Sequence, residues 1–255
     1  MYTPEKLSTA NNEFFNQGID NLLDWLDRRV KENKENKEKK YEIYFNLVGG
    51  FKALQGCMNT MGMFYADKII YVFEGASSNL ITIPRLPITV DYSRLAPHVP
   101  TLALLDAGAG LSPSQTQNVP EAMVAEINEK MTLSNWGQLI WNQCKDDFLS
   151  QELQEFPRLY YDPNRFTIDY NNISTAQEKV KLQTTLAKVS YLLEASKGNT
   201  RALAKPVSYY AYQGIEGVDH FYVGMDWRVS CKMSNGILEL RHYGTHNYVE
   251  RKEGI

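Results

Sequence analysis

The sequence has 255 residues, and what it lacks narrows the field first. No apolar run approaches the roughly 20 residues a membrane span needs. Met1–Gln17 is polar, without the apolar core of a secretory leader. The expectation is a cytoplasmic chain with no membrane partner. Cysteine is scarce: Cys57, Cys144 and Cys231 lie far apart and form no CxxC pair, which excludes a disulfide scaffold and a cysteine-rich zinc site. A surplus of one charge is also missing. Lys and Arg number 27 against 30 Asp and Glu, a net charge of −3, which excludes a strongly basic nucleic-acid coat for the chain as a whole. Neither GxxxxGK[ST] nor GxGxxG occurs, so there is no P-loop or dinucleotide fingerprint. Glu74, Glu121 and Glu126 have no metal-ligand grouping around them, and no metal is expected.

What remains is an ordinary globular composition, 43% hydrophobic and 22% charged, with room for one large domain or two small ones. Ile19, Leu22, Leu23, Leu26 and Val30 recur at helical spacing and predict a helix over 18–33. The run Arg28–Lys40 holds seven basic and three acidic residues; it reads as a solvated helix end and loop, or as a polyanion patch. Tyr41–Val48 and Lys68–Glu74 are β-rich and flank a glycine turn and a helix over 53–65, a βαβ unit that implies a parallel sheet. Residues 91–119 are loop-like. Helices are predicted over 120–131, opened by Pro120, over 134–151, and over 175–195 from the stripe Leu182, Leu186, Val189 and Leu193. Phe166–Tyr170 reads as a short strand. Further strands are expected around 207–212, 220–225, 227–233 and 237–243. Three of the four histidines, His220, His242 and His246, fall in the last 36 residues.

Asn235-Gly236 between the last two strands is a hairpin signal. A two-residue turn there sets Cys231 opposite Leu240, Ser230 opposite Arg241, Val229 opposite His242 and Arg228 opposite Tyr243. Trp227, Val229, Cys231, Met233, Leu238, Leu240 and His242 then face the core, which makes His242 structural. Arg228, Ser230, Lys232, Glu239, Arg241 and Tyr243 share the other face. Two arginines on one face can grip phosphate in bidentate fashion; a solvated face with Lys232 across from Glu239 is the alternative. Gly244–Glu250 brings His246 and Tyr248 to the mouth of that face. Tyr209, Tyr210 and Tyr212 are strand packing or a stacking platform. Earlier in the chain, Gly49-Gly50-Phe51-Lys52 follows a strand and opens a helix, where backbone N–H groups and a lysine make an anion site.

Asn46–Lys52, Leu54-Gln55-Gly56, Gly62–Asp67, Ile70–Glu74 and Ile83–Ile88 together resemble the later half of a CARF domain, the ligand-sensing module of type III CRISPR systems, over Ala10 to Val90. The resemblance implies that Asn46, Gly49, Gly50, Phe51 and Lys52 contact cyclic oligoadenylate, with cyclic tetra-adenylate as an allosteric activator and no other cofactor, in a homodimer. The family's opening strand and its Thr-x-Gly-Thr-Ser-like turn have no counterpart here, so the domain is expected to be short of its N-terminal part.

Val223–Val229 (Gly-Met-Asp-Trp-Arg-Val within it) and Tyr243–Val249 (Tyr-Gly-Thr-His-Asn-Tyr-Val) resemble the strands of a RelE-type mRNA interferase, over Phe166 to Arg251. With the first resemblance this is similar to the CARF–RelE fusion class of CRISPR-associated mRNA interferases. The implied organisation is an α/β CARF-like domain over 1–95, a helical linker over 96–155, and an α+β RelE-like domain with an antiparallel sheet over 156–255. The implied activity is ribosome-dependent cleavage of mRNA without metal, by attack of a ribose 2′-hydroxyl on the adjacent phosphate. Arg228 stands at the family's strand arginine, His246 at a terminal basic position and Tyr248 near a C-terminal tyrosine. His220 and Tyr222 occupy positions that are often basic in the family. Arg228 and Arg241 are assigned to phosphate stabilisation, His246, His220 or Tyr222 to acid–base work, and Tyr248 to stacking on a base or relaying a proton. The rival reading is a non-catalytic regulator carrying a degenerate RelE-like domain.

Overall fold

The computed structural model describes residues 2–5, 7–8, 10–35, 41–49, 51–72, 79–213 and 215–254. Gly50, Glu74 and the charged stretch 36–40, all singled out from the sequence, lie outside the described residues. The chain divides into two compact units: Met1–Asp91 with Asn135–Asn142, and Tyr92–Ser134 with Gln143–Ile255.

The first unit is α/β. Helix α1 (Asn12–Glu35) buries the predicted stripe, with Ile19, Leu22, Leu23 and Leu26 all inside. Strand β1 (Tyr44–Asn46), helix α2 (Lys52–Tyr65) and strand β2 (Lys68–Val72) form the βαβ unit, and β1 and β2 run parallel with Phe45 beside Ile69. A third strand, β3 (Leu80–Ile83), pairs with β2 in the antiparallel sense, so the sheet, expected to be parallel, is mixed. The core gathers α1, α2, Phe45, Ile69 and Leu139. Each fully buried large apolar side chain contributes roughly 1.5–3 kcal/mol. Of the basic run, the described arginines turn back on their own helix: Arg28 Nε donates to the Asp24 carbonyl, and Arg29 pairs with Glu32 at 2.8 Å.

The second unit is α+β, and it corrects several expectations. Residues 92–98 form a 3₁₀ turn that leads into helix α3 (Val99–Asp106), and a single-turn helix α4 (Pro113–Thr116) follows; the apolar Leu102–Leu105 run, wholly buried, overrides the loop-like composition around it. The predicted 120–131 helix is a hairpin of β4 (Val124–Ile127) and β5 (Lys130–Leu133). Asn128 and Glu129 both hold φ near +50 to +62°, the left-handed pair that a two-residue hairpin turn demands and a helix forbids. Helix α5 (Asn135–Leu149) and strand β6 (Leu159–Tyr161) come next. Phe166–Tyr170, read as a strand, belongs to helix α6 (Phe166–Asn171). Phe166, Asp169 and Tyr170 are its buried residues, a spacing of three and four rather than two.

Helix α7 (Ala176–Ala195) buries Leu182, Leu186, Val189 and Leu193 completely, and Thr175 caps it by accepting from the Glu178 N–H at 3.3 Å. Strands β7 (Tyr210–Ala211), β8 (Asp219–Val223), β9 (Trp227–Ser234) and β10 (Ile237–Thr245) complete a five-stranded sheet in the order β6-β10-β9-β8-β7. β6 joins β10 in parallel; the other pairs are antiparallel.

Asn235 (φ +51°) and Gly236 (φ +78°) make the expected turn, and Cys231 sits opposite Leu240. Beyond that point the register departs from the sequence expectation. His242 pairs with Ser230, Tyr243 with Val229 and Gly244 with Arg228, so Arg241 is the extra residue of a β-bulge. The bulge inverts the alternation. His242, expected on the core face beside Val229, joins Ser230 on the other face. Tyr243, expected on the polar face opposite Arg228, lies on the Val229 face and stacks on Trp227, with ring centroids 5.6 Å apart. Arg241 is not opposite Ser230. The last expected strand segment, from His246, is instead helix α8 (His246–Glu253), closed by Gly254 at φ +80°.

Candidate active site

Alternation along β8 and β9 puts His220, Tyr222, Arg228 and Ser230 on one face. Helix α8 reaches the same face through its carboxylates. Two of the sequence-predicted residues, Arg228 and Tyr222, meet here directly, and His246 joins them through a shared carboxylate. Arg228 Nη2 donates to Tyr222 Oη at 2.7 Å, and the guanidinium lies 4.6 Å from the centre of the Tyr222 ring. That is a hydrogen bond and a cation–π contact with one partner. Arg228 Nη1 also stands 3.8 Å from Glu250 Oε1. His246 Nδ1 is 3.0 Å from the same Glu250 oxygen, one helical turn away. Arg228 and His246 thus share one carboxylate.

His220 completes the cluster. Its ring is 5.7 Å from that of Tyr222, 4.3 Å from Tyr212 and 6.1 Å from Tyr210. It is 93% buried in an aromatic setting, and its Nδ1 has no hydrogen-bond partner among the described residues. Burial, with the positive charge of Arg228 added, pushes its pKa from 6.5 down to about 4. At neutral pH it is an uncharged imidazole. His246, half exposed, is the histidine open to solvent.

Arg241 is engaged elsewhere. Its Nε and Nη2 donate to both Glu253 oxygens at 3.0 and 2.8 Å, and Ser230 Oγ donates to Glu253 at 2.7 Å. Burial alone would raise the Glu253 pKa, but Arg241 and Ser230 outweigh it and hold the carboxyl below its usual range. This closed pair ties α8 to β9 and β10. The bulge is what turns Arg241 toward it.

Tyr248 faces the other way from α8. Its Oη donates to Asp169 Oδ1 at 2.6 Å, and burial together with Asp169 pushes its pKa up to about 12. Asp169 Oδ2 meets His242 Nδ1 at 3.0 Å and accepts from the Tyr243 backbone N–H at 3.0 Å. Gly244 makes room for the Tyr248 ring, because a Cβ there would stand 2.5 Å from Tyr248 Cδ1. Trp227, Tyr243, Tyr248, Asp169 and Glu178 line an open cleft of about 370 Å³. Sequence reasoning found Tyr248 but missed Asp169, Glu178 and Glu250. The Glu250 signal was present as His246-x-x-x-Glu250, an i, i+4 pair readable once that segment is known to be helical. Among the described residues no group of three or more His, Cys, Asp or Glu stands together as a metal site, and no helix is long and apolar enough to cross a membrane.

In the first unit, Asn46 ends β1 and its Oδ1 accepts from the Val48 N–H at 3.0 Å. Gly49 adopts φ +77° with open space where a Cβ would be. Gln55 Nε2 donates to the Gly49 carbonyl at 3.0 Å, pinning the turn to α2. Phe51 precedes the helix and is 61% exposed, and Lys52 is the first helical residue, also exposed. The turn therefore presents a helix start, a lysine and an aromatic ring to solvent.

Residues 1–86 match the model of a family described as CRISPR-associated protein (Cas_APE2256). The match spans the first third of the chain and includes the whole glycine turn. No curated protein matches the chain.

Proposed function

We propose that the second unit is a metal-independent endoribonuclease acting on ribosome-bound mRNA in CRISPR-associated antiviral defence, and that the first unit is its cyclic-oligoadenylate sensor. The observation that carries the reading is the convergence of Arg228, Tyr222, His220, His246 and Glu250 on one sheet face. The likeness of residues 1–86 to a CRISPR-associated family supports the biological setting.

In the proposed reaction the ribose 2′-oxygen attacks the neighbouring phosphorus. The new 2′-O–P bond forms as the P–O5′ bond breaks, leaving a 2′,3′-cyclic phosphate and a 5′-hydroxyl. His246, oriented by Glu250, takes the 2′-hydroxyl proton; the carboxylate stabilises the imidazolium that results. Tyr222 Oη accepts from Arg228, so its own hydrogen is free to pass to the departing 5′-oxygen. Arg228 meets the charge developing on the phosphoryl oxygens. Its 3.8 Å pairing with Glu250 is loose enough for a phosphate to replace it. His220, uncharged and enclosed, holds the aromatic floor beneath Tyr222. The Trp227–Tyr243–Tyr248 cleft lies on the Val229 side of the sheet, away from Arg228, and takes no part in the proposed step. The proposed allosteric site is the turn at Asn46, Gly49, Phe51 and Lys52, whose exposed lysine and helix start suit a phosphate ring; a homodimer would present two such turns.

The test is cleavage of mRNA in a reconstituted translation mixture, with and without cyclic tetra-adenylate. Arg228→Ala should lose about 10³-fold in rate, as expected for removal of a preorganised charge stabiliser. His246→Ala and Tyr222→Phe should each lose about 10²-fold. Full activity of Arg228→Ala would overturn the site. Activity indifferent to the nucleotide and to Lys52→Ala would overturn the sensor.

A further inference from the structure

A second groove borders the cluster at Tyr222. It encloses about 250 Å³ between α7 and the sheet edge, and Thr184, Thr185, Lys188, Ser208, Tyr222 and Gly224 line it. Its walls hold no carboxylate. Lys181, Thr185 and Lys188 recur at the spacing that puts them on one side of the helix. Lys181 reaches the turn between β8 and β9, where a Cβ on Gly224 (φ +72°) would stand 2.1 Å from its Nζ. Among the described residues neither Lys181 nor Lys188 pairs with a carboxylate, and Lys188 Nζ donates to the Pro206 carbonyl at 3.3 Å. By contrast Arg158, Arg228 and Arg241 each face a glutamate. Lys188, beside hydroxyls in a groove whose lining holds no carboxylate, and Lys181 at its Gly224 end make a local positive potential in a chain of net charge −3.

We infer that this groove carries the phosphate backbone of a single RNA strand, with Lys181 and Lys188 on successive phosphates and Tyr222 as the wall shared with Arg228. The inference rests on the ribonuclease reading. What favours RNA over an acidic peptide is the neighbouring aromatic surface. Tyr210 is 55% exposed and meets Tyr222 edge-on, with centroids 6.4 Å apart. A cationic track beside exposed rings is how single-stranded nucleic acids are held without regard to sequence.

The experiment is fluorescence anisotropy of the full chain with a labelled 2′-O-methyl oligouridine, which cannot be cleaved, across a salt series. Lys181→Gln/Lys188→Gln should weaken binding about tenfold near 0.1 M salt and reduce the log–log salt slope by about 1.4, two single-strand phosphate contacts. Lys181→Arg/Lys188→Arg should keep both. Arg228→Ala should lose cleavage of mRNA yet bind with the salt dependence of the lysine track intact. An unchanged slope in the glutamine variant, with wild-type binding and cleavage normal, would overturn the groove and leave the Arg228 site standing. Displacement of the RNA by polyglutamate at equal charge would overturn it in favour of an acidic protein partner. Absence of both binding and cleavage in the wild type would overturn the groove and the ribonuclease reading together.

Discussion

The glycine turn of the first unit and the sheet face of the second each combine a cation with an aromatic ring, but they are held in different ways. At the turn, Gly49, Phe51 and Lys52 face solvent, and the geometry is kept by a backbone conformation and one glutamine. On the sheet face, Arg228, Tyr222, His246 and Glu250 hold one another, with Arg241–Glu253 and Tyr248–Asp169 anchoring the helix that supplies the carboxylate. The turn leaves its charged and aromatic groups open to solvent, whereas the side chains of the sheet face fix one another's positions, the arrangement that the proposed chemistry of fixed charges needs.

The contrast is broken most severely at Asp169. Its carboxylate serves His242, Tyr243 and Tyr248 from a buried position. Asp169→Ala should cost roughly 3 kcal/mol, since two buried polar groups and the half-buried Tyr248 hydroxyl lose their partner at once. Denaturant titration measures it, and a loss below about 1 kcal/mol would show that Asp169 adds little to what Arg241–Glu253 and packing already provide.

His220 gives the next effect, and its sign is fixed by its depressed pKa. The folded state disfavours the imidazolium, so stability is complete above the ordinary value of 6.5 and falls as pH drops toward about 4. The whole shift is worth roughly 3 kcal/mol. Subtracting the pH–stability curve of His220→Gln from that of the wild type isolates it, and a flat difference would remove His220 from the network.

The first unit should respond more mildly. Gly49→Ala puts a side chain at φ +77° but meets no neighbour, so the cost is backbone strain of about 1 kcal/mol. A thermal melt would detect it, and no shift would mean that the turn rearranges freely. Lys52→Ala should be smallest, within about 0.5 kcal/mol, while removing the nucleotide response proposed for the turn. A larger stability change would show that Lys52 is structural.

Helical periodicity was legible wherever a stripe was long: Ile19 to Val30 and Leu182 to Leu193 both placed their helices. The βαβ order around Gly49 and the Asn235-Gly236 turn were equally plain. Short segments were not. Phe166–Asn171 has too few residues to show a period, and Asn128-Glu129 is an uncommon turn pair, so one helix was read as a strand and one hairpin as a helix. Of the candidate site, the residue types at positions 220, 222, 228 and 246 were visible. Their carboxylate partner Glu250 was hidden, because its role depends on Gly244–Glu250 changing from strand to helix after Thr245.

The sequence by itself determined the elements with long periods, the hairpin turn, the near-neutral charge and the residues available for chemistry. Tertiary structure decided which of those residues meet. A single extra residue at Arg241 reverses the side-chain alternation beyond it, because a strand has a period of two. The bulge brings Arg241 to Glu253 on α8, a contact no local pattern contains.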